Sequence, residues 1–260
     1  MILDGRILSN LIADELRTQA TGQNIGLAIV LVGEDPSSIK YVNAKQKRAL
    51  DIGIDCKVLQ LPAELSEAEV MQFINMLNNN NNTHGMMVQL PLPGHICAQT
   101  IMRAINPLKD VDGLNPASNF IPATVRGIEK LLEHYLYGPH FDLQGDSAVV
   151  IGRSEIVGKP AAKMLLDHNA TVTICHSKTP DLMKFTAGAD ILISATGITG
   201  LITPEYIKQG AVIIDAGTIG DVAPECYLKA SAYTPVPGGV GPMTIISLLE
   251  NTIRAHLKQK

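Results

Sequence analysis

Three side chains in the stretch SSIKYVNAKQK, residues 37–47, could act together. Ser38, Tyr41 and Lys45 stand three and then four residues apart, a spacing that puts them on one stripe of a helix. A lysine ordinarily belongs on the solvated face. This one follows the apolar run IGLAIVLVG and the turn EDP, where a buried strand hands over to a helix, so it is a candidate reactive amine. Two more polar stretches fall near strand ends: Gln89 in MVQLPLP, and Asp110 and Asp112 in KDVDG after the next helix. Ligands of open parallel sheets collect outside the carboxyl ends of the strands, and the shared location of the three stretches gives them weight together. Taken singly, each also reads as a solvated lysine, an isolated polar residue or a turn.

The second half carries a different pattern. VVIGRSEIVGKPAA reads as a strand, a tight turn and a helix start. Gly152 lets the chain turn at the strand end, Gly158 lets the helix approach the sheet, and N–H groups at the helix start can cradle a pyrophosphate. Ser154 takes the middle position of the dinucleotide fingerprint, so the turn alone also fits an ordinary strand–helix connection. The next strand ends in TICHSKT, without the carboxylate that grips a ribose 2′-hydroxyl. His176, Ser177 and Lys178, with Arg153 in the first turn, suit a 2′-phosphate that a carboxylate would repel. The pattern therefore favours NADP over NAD, while His176 by itself also fits a solvated loop histidine.

The elements that must position these groups alternate. A helical pattern runs from about Gly5 to Thr18. It is followed by strand IGLAIVLVG, helix DPSSIKYVNAKQKRALDIG, strand IDCKVLQLP, helix SEAEVMQFINMLNN with a Ser66–Glu69 capping box, strand HGMMVQLPLP and helix ICAQTIMRAI. After a connector, FIPATVRGIEKLLEHYL, come strand DSAVVIG, helix VGKPAAKMLLDH, strand ATVTICH, a short helix PDLMKFTAG, strand ADILISATG, helix TPEYIKQ, strand GAVIIDAG and a last helix MTIISLLENTIRAHLKQ. Strands this apolar belong in parallel sheets covered by helices. The expected class is α/β, as two α/β domains flanking a cleft, the C-terminal one a Rossmann-like parallel sheet. The expected boundaries are residues 1–122 plus 243–260 for one domain and 123–242 for the other.

The totals exclude several classes. The chain has 260 residues, 46% hydrophobic, with a formal net charge of −4 and no Trp, which argues for a packed core and against a nucleic-acid surface. No apolar run is long enough to span a bilayer, and MILDGRILSN lacks the features of a signal peptide, so a cytoplasmic protein is expected. Cys56, Cys97, Cys175 and Cys226 are scattered, which argues against a zinc site or disulfides and for no bound metal.

Taken together, EDPSSIKYVNAKQKRALDIGI, HGMMVQLPLP, NPLKDVDG, VVIGRSEIVGKPAAKMLL, ATVTICHSKT, ADILISATG, GAVIIDAG, GDV and TPVPGGVGPMT resemble, in order and over nearly the whole chain, the bifunctional methylenetetrahydrofolate dehydrogenase/methenyltetrahydrofolate cyclohydrolase family. The resemblance implies a small-molecule folate substrate, NADP, and a homodimer. It makes Lys45 the catalytic lysine, Tyr41 its neighbour beside the pterin, and Ser38 and Gln89 a hydrogen-bonded cluster around the amine. It assigns the substrate to Tyr41, Gln89, Leu90, Pro91, Asp112, Pro237, Gly238 and Gly239. Asp112 can accept two parallel hydrogen bonds from the 2-amino-4-oxo edge of the pterin. The cofactor goes to Thr124, Gly152, Arg153, Ser154, Val157, His176, Ser177, Ala195, Thr196, Gly197, Gly217, Thr218 and Ile219. Hydride transfer then needs mainly positioning, whereas hydrolysis needs proton transfer, for which Lys45 is the available group. To be mostly neutral near pH 7 its amine must titrate about three pH units low, roughly 4 kcal/mol.

Two segments depart from the resembled pattern. Only LNPASNFI separates KDVDG from the proline motif, which reads PATV, and GTIGDV follows DA without the hairpin of relatives. Both flank the expected nicotinamide pocket. The alternatives are therefore a cyclohydrolase alone, an NAD-linked variant, or a non-catalytic nucleotide-binding protein; retention of the lysine constellation speaks against the last.

Overall fold

The computed structural model describes every residue from Met1 to Lys260. In chain order the helices are α1 (Gly5–Ala20), α2 (Pro36–Ile52), α3 (Glu67–Asn78), α4 (Ala98–Ala104), α5 (Ala123–Leu132), α6 (Gly158–Asp167), α7 (Met183–Thr186) and α8 (Val240–Lys258). The strands are β1 (Gly26–Val32), β2 (Asp55–Leu61), β3 (Gly85–Val88), β4 (Ser147–Ile151), β5 (Thr171–Cys175), β6 (Ile191–Ser194), β7 (Val212–Asp215) and β8 (Ala232–Tyr233). The chain divides into two compact units: a first of Leu11–Ala123 with Ile245–Lys260, and a second of Met1–Asn10 with Thr124–Thr244.

The first unit holds a parallel sheet in the order β2-β1-β3. Every residue of β1 is buried, as the unbroken apolar run requires of a central parallel strand. Its core gathers Val30, Val32, Val70, Ile74, Met86, Val88 and Ile101. Helix α2 begins on Asp35, whose side chain accepts from the Ser38 N–H, with proline in the first turn, and ends at Gly53 in the left-handed region, φ 96°. Helix α3 starts with the Ser66–Glu69 capping box.

The second unit holds a five-stranded parallel sheet in the order β5-β4-β6-β7-β8. This is a doubly wound arrangement whose strand order reverses between β4 and β6, the place where such sheets take ligands. The expected α/β class with a Rossmann-like parallel second sheet is what the fold displays.

Several elements differ from the sequence expectation. The first ten residues group with the second unit, not with the first. The cause is backbone pairing: the Leu3 N–H donates to the Tyr233 carbonyl at 2.8 Å and the Tyr233 N–H to the Met1 carbonyl at 3.0 Å. Strand β8, which this pairing flanks, is two residues long and too short to announce itself by periodicity. The other unit boundaries fall at Ala123/Thr124 and Thr244/Ile245. HGMMVQLPLP is a strand only as far as Val88, because prolines 91 and 93 have no N–H to continue a ladder. TPEYIKQ forms a single 3₁₀ turn, Pro204–Tyr206, and the connector helix α5 runs into a π turn, Glu133–Tyr137. No helix is long and apolar enough to cross a membrane, and all four cysteines are free, with only Cys97 exposed.

Ser66→Ala removes the hydroxyl that accepts from the Glu69 N–H at an exposed helix start and leaves the backbone half of the capping box in place. It should lower unfolding free energy by about 1 kcal/mol, read as a lower urea midpoint at unchanged slope.

Candidate functional site

In the first unit, one face of α2 buries Ser38, Val42, Lys45, Ala49 and Ile52. Lys45 is only 9% exposed. Its Nζ donates to Gln89 Oε1 at 2.8 Å. The Gln89 amide in turn donates from Nε2 to the Leu90 carbonyl at 2.6 Å, which fixes which end of the amide faces the lysine. Burial pushes the Lys45 amine down from its ordinary value, and the negative charge of Asp112 opposes that shift. Burial likewise pushes the Asp112 carboxyl up, opposed by Lys45. Lys45 and Gln89 are thus brought together as the sequence reading required. Ser38 lies on the same buried face but does not bond the amine directly; its N–H donates to Asp35 at 2.7 Å. Tyr41 is half-buried, one turn before Lys45.

Asp112 is placed by its neighbours in KDVDG. Lys109 is buried and its ammonium donates to the carbonyls of Leu77, Asn78 and Asn80 at 3.3, 2.8 and 2.9 Å, closing the end of α3. Asp110 is fully buried. It accepts from the Asn115 N–H at 2.8 Å, and burial, with Asp112 nearby, raises its carboxyl to about 6. The Ala123 N–H donates to the Asp112 carbonyl at 3.1 Å. From α8, Asn251 Nδ2 reaches the Val111 carbonyl at 2.9 Å and the Ile121 carbonyl at 3.4 Å. Sequence reasoning missed Asn251. Asn251 shares its buried setting on α8 with Ser247 and Thr252.

In the second unit, Gly152 sits at the end of β4 with φ +119°, and a Cβ there would come within 2.5 Å of the Ala195 carbonyl oxygen. A Cβ at Gly158 would lie 2.2 Å from the Gly152 oxygen. Both glycines are demanded by backbone approaching backbone. The N–H groups of Val157 and Gly158 donate to Ser154 Oγ at 3.2 and 3.3 Å, so Ser154 caps α6 and these two groups are already engaged. Arg153, Ser177 and Lys178 are exposed. His176 Nδ1 accepts from the Lys178 N–H at 3.1 Å, which in the neutral ring leaves the proton on Nε2. Thr124 Oγ1 accepts from Thr244 Oγ1 at 3.3 Å. Ala195 and Thr196 are half-buried and Gly197 exposed beyond β6; Gly217 is half-buried and Thr218 and Ile219 exposed beyond β7.

Pro237, Gly238 and Gly239 also belong to the second unit. A Cβ on Gly5 would lie 1.8 Å from the Gly239 oxygen, and one on Gly238 would lie 3.2 Å from Arg6 Nε. The N-terminal residues therefore support the PGG turn, a role sequence reasoning did not assign. No group of three or more potential metal-ligating side chains occurs.

A family model described as “Tetrahydrofolate dehydrogenase/cyclohydrolase, catalytic domain” matches residues 3–112, and one described as “Tetrahydrofolate dehydrogenase/cyclohydrolase, NAD(P)-binding domain” matches residues 122–260. The chain belongs to the tetrahydrofolate dehydrogenase/cyclohydrolase family. Among its relatives is a bifunctional FolD protein of Moorella thermoacetica, 47% identical over 98% of both chains. That alignment spans 277 positions, more than the 260 residues here, so the relative carries residues this chain lacks. A crystal structure of the bifunctional FolD enzyme of Campylobacter jejuni is 41% identical, with a TM-score of 0.95 over 100% of this chain and 99% of that one. A Trypanosoma brucei FolD solved with NADP cofactor and inhibitor is 32% identical, with a TM-score of 0.93 over 99% of this chain and 97% of that one.

Within the family frame the glycine contacts make a sharp test. Gly158→Ala should cost roughly 1–3 kcal/mol, because the methyl meets backbone that cannot rotate aside. Differential scanning calorimetry should show a lower Tm, whereas Gly94→Ala, where a Cβ meets nothing within 4 Å, should leave Tm nearly unchanged.

Proposed function

We propose that this chain oxidises 5,10-methylenetetrahydrofolate to the 5,10-methenyl form with NADP and hydrolyses the methenyl form to 10-formyltetrahydrofolate. The observation that carries the reading is the buried Lys45–Gln89 pair, in a chain that belongs to this family over both of its units. In the hydrolysis, water attacks the cationic methenyl carbon while the neutral Lys45 amine takes a proton from it. The resulting ammonium returns that proton to the departing ring nitrogen as the carbon–nitrogen bond breaks, and the remaining hydroxyl proton passes to water as the formyl C=O forms. Gln89 supports the neutral amine by offering a carbonyl oxygen, which accepts a hydrogen bond without adding negative charge. Asp112 accepts from the 2-amino-4-oxo edge of the pterin, and Ser38 and Tyr41 line the same stripe.

NADP, when bound, supplies the hydride acceptor. The residues read for it fit such a group: Arg153, Ser177 and Lys178 are exposed, and with the Nε2–H of His176 they offer donors and positive charge to a 2′-phosphate. The substrate's own nitrogen lone pairs stabilise the cation left by hydride loss, so the chain's part in that step is positioning. The assignment of substrate to the lysine-bearing domain and cofactor to the other, the homodimer and the cytoplasmic location are part of the same reading.

Lys45→Met should abolish methenyl hydrolysis, followed as loss of methenyl absorbance, and leave much of the NADPH formation. Equal loss of both activities in a folded variant would defeat the split. Burial lowers the Lys45 pKa, so the neutral amine grows as pH rises, and the hydrolysis rate should climb with a midpoint below the 10.5 of a free lysine. The same group taxes the folded state below that midpoint, because the unfolded chain binds the proton more readily. The Tm advantage of Lys45→Met over wild type should therefore shrink as pH rises toward 10.5.

Arg153→Ala should raise KM for NADP about tenfold and leave the weaker KM for NAD nearly unchanged. A chain that prefers NAD in this assay would overturn the choice of cofactor.

A further inference from the structure

A second group of buried polar side chains lies at the carboxyl ends of β6 and β7. Ser194, Asp221 and Thr234 are fully buried and Asp215 is 1% exposed. Asp221 Oδ2 accepts from Ser194 Oγ at 2.9 Å, from the Thr196 N–H at 2.6 Å and from Thr196 Oγ1 at 2.9 Å. The Thr196 hydroxyl also accepts from the Ile198 N–H at 3.2 Å, and Gly197 between them takes φ +67°. One carboxylate oxygen therefore dictates the course of residues 195–198. Asp215 accepts from the Gly217 N–H at 2.9 Å and the Val222 N–H at 3.0 Å, so it ties down both ends of the 217–222 turn.

The two carboxyl groups crowd one point. A Cβ on Gly217 would stand 2.2 Å from Asp221 Oδ1 and 3.0 Å from Asp215 Oδ1, and Asp221 Oδ1 is buried without a hydrogen-bond partner. Burial first, and then the Asp221 charge, raises the Asp215 carboxyl to about 6. A buried acid this close to a second acid is costly. The fold tolerates the cost although the same two loops are already joined by backbone bonds: Gly200 N–H to the Gly220 carbonyl at 3.0 Å, Ile202 N–H to the Asp221 carbonyl at 3.0 Å, and Ala223 N–H to the Ile202 carbonyl at 2.8 Å. The carboxylate of Asp221 is thus surplus to joining the loops, and what it adds is the placement of Thr196.

We propose that Asp221 is a positioning residue for the dinucleotide, holding the Thr196 N–H and hydroxyl so that the turn after β6 presents one fixed backbone to the cofactor. The inference rests on the reading that Ala195, Thr196 and Gly197 meet NADP. It adds a residue that touches neither substrate nor cofactor, and it explains how the abrupt 217–221 turn can be short: the turn delivers Asp221 straight back to the end of β6.

The test uses the full chain, with NADP-dependent hydride transfer and cofactor-free methenyl hydrolysis measured on the same preparations. Asp221→Ala should raise KM for NADP about tenfold or more, with kcat changed far less and hydrolysis unchanged. Thr196→Val should raise the same KM, and the double variant should be no worse than the worse single one, since both remove one linkage. Asp221→Asn, which keeps an acceptor oxygen and the side-chain volume, should restore most of the affinity, and Asp221→Leu, which keeps the branched shape without an acceptor, is read in place of the alanine variant if that one does not fold. Hydrolysis falling in step with hydride transfer, or an NADP KM within about twofold of wild type in Asp221→Ala or Asp221→Leu while Thr196→Val raises it, would overturn the proposal. If Thr196→Val and Ser154→Ala both leave the NADP KM untouched, the cofactor reading itself has failed, and the proposal falls with it.

Discussion

The Lys45 amine is withdrawn from water and given a neutral acceptor, the Gln89 oxygen at 2.8 Å, in place of a charged one. That choice governs the rest of the first unit. A carboxylate at the Gln89 position would hold the lysine protonated by direct ion pairing; an apolar residue would leave the amine without a partner. An amide permits both protonation states, and its orientation is locked by the bond from Gln89 Nε2 to the Leu90 carbonyl. Asp112 works against the burial of the amine without dictating its charge. A neutral acceptor leaves both forms open to the amine, as the proposed hydrolysis, in which it takes and returns a proton, requires.

Lys109 shows that burial of a lysine is not in itself a mark of chemistry. Its amine is also buried and also pushed down by desolvation, yet three backbone carbonyls at the end of α3 absorb its donors. Those carbonyls sit at the negative end of a helix and favour the charged form. Lys109, Asp110 and Asn251 together brace the segment that carries Asp112: one ties it to the end of α3, one bonds within the loop, and one clamps Val111 and Ile121 from α8. The polar residues of KDVDG divide into two that hold the loop and one, Asp112, that the proposed reading gives to the pterin.

Much of this was legible in the residues, for identifiable reasons. The apolar runs of β1, β3, β4, β6 and β7 are buried along most or all of their length, which makes parallel strands readable without periodicity. The Ser38–Tyr41–Lys45 spacing and the Ser66–Glu69 box are local, and local patterns survive into the structure. What stayed hidden depends on contacts distant in sequence. The pairing of residues 1–3 with Tyr233 spans about the whole chain, and a two-residue strand has too few side chains to show alternation. Asn251 and Asp221 gain their meaning only from the backbone they meet. The hydroxyl of Ser154 also accepts from the Val157 and Gly158 N–H groups, a contact that its place in a fingerprint does not announce.

The second unit rests on exclusion more than attraction. Gly152 and Gly158 stand where a methyl group would strike backbone, so the turn after β4 can be traced by only one kind of side chain, none. The turn after β7 obeys the same rule for a different reason: at Gly217 a methyl would strike carboxyl oxygens. Its anchors, Asp215 and Asp221, lie at its two ends and bond to groups outside it, namely Thr234, Ser194 and Thr196. Residues between such anchors can be removed at small entropic cost, because nothing in the middle carries the connection. The brevity of this turn is therefore compatible with an intact site, provided the shortening stops, as it does here, with both aspartates still in register with the ends of the strands.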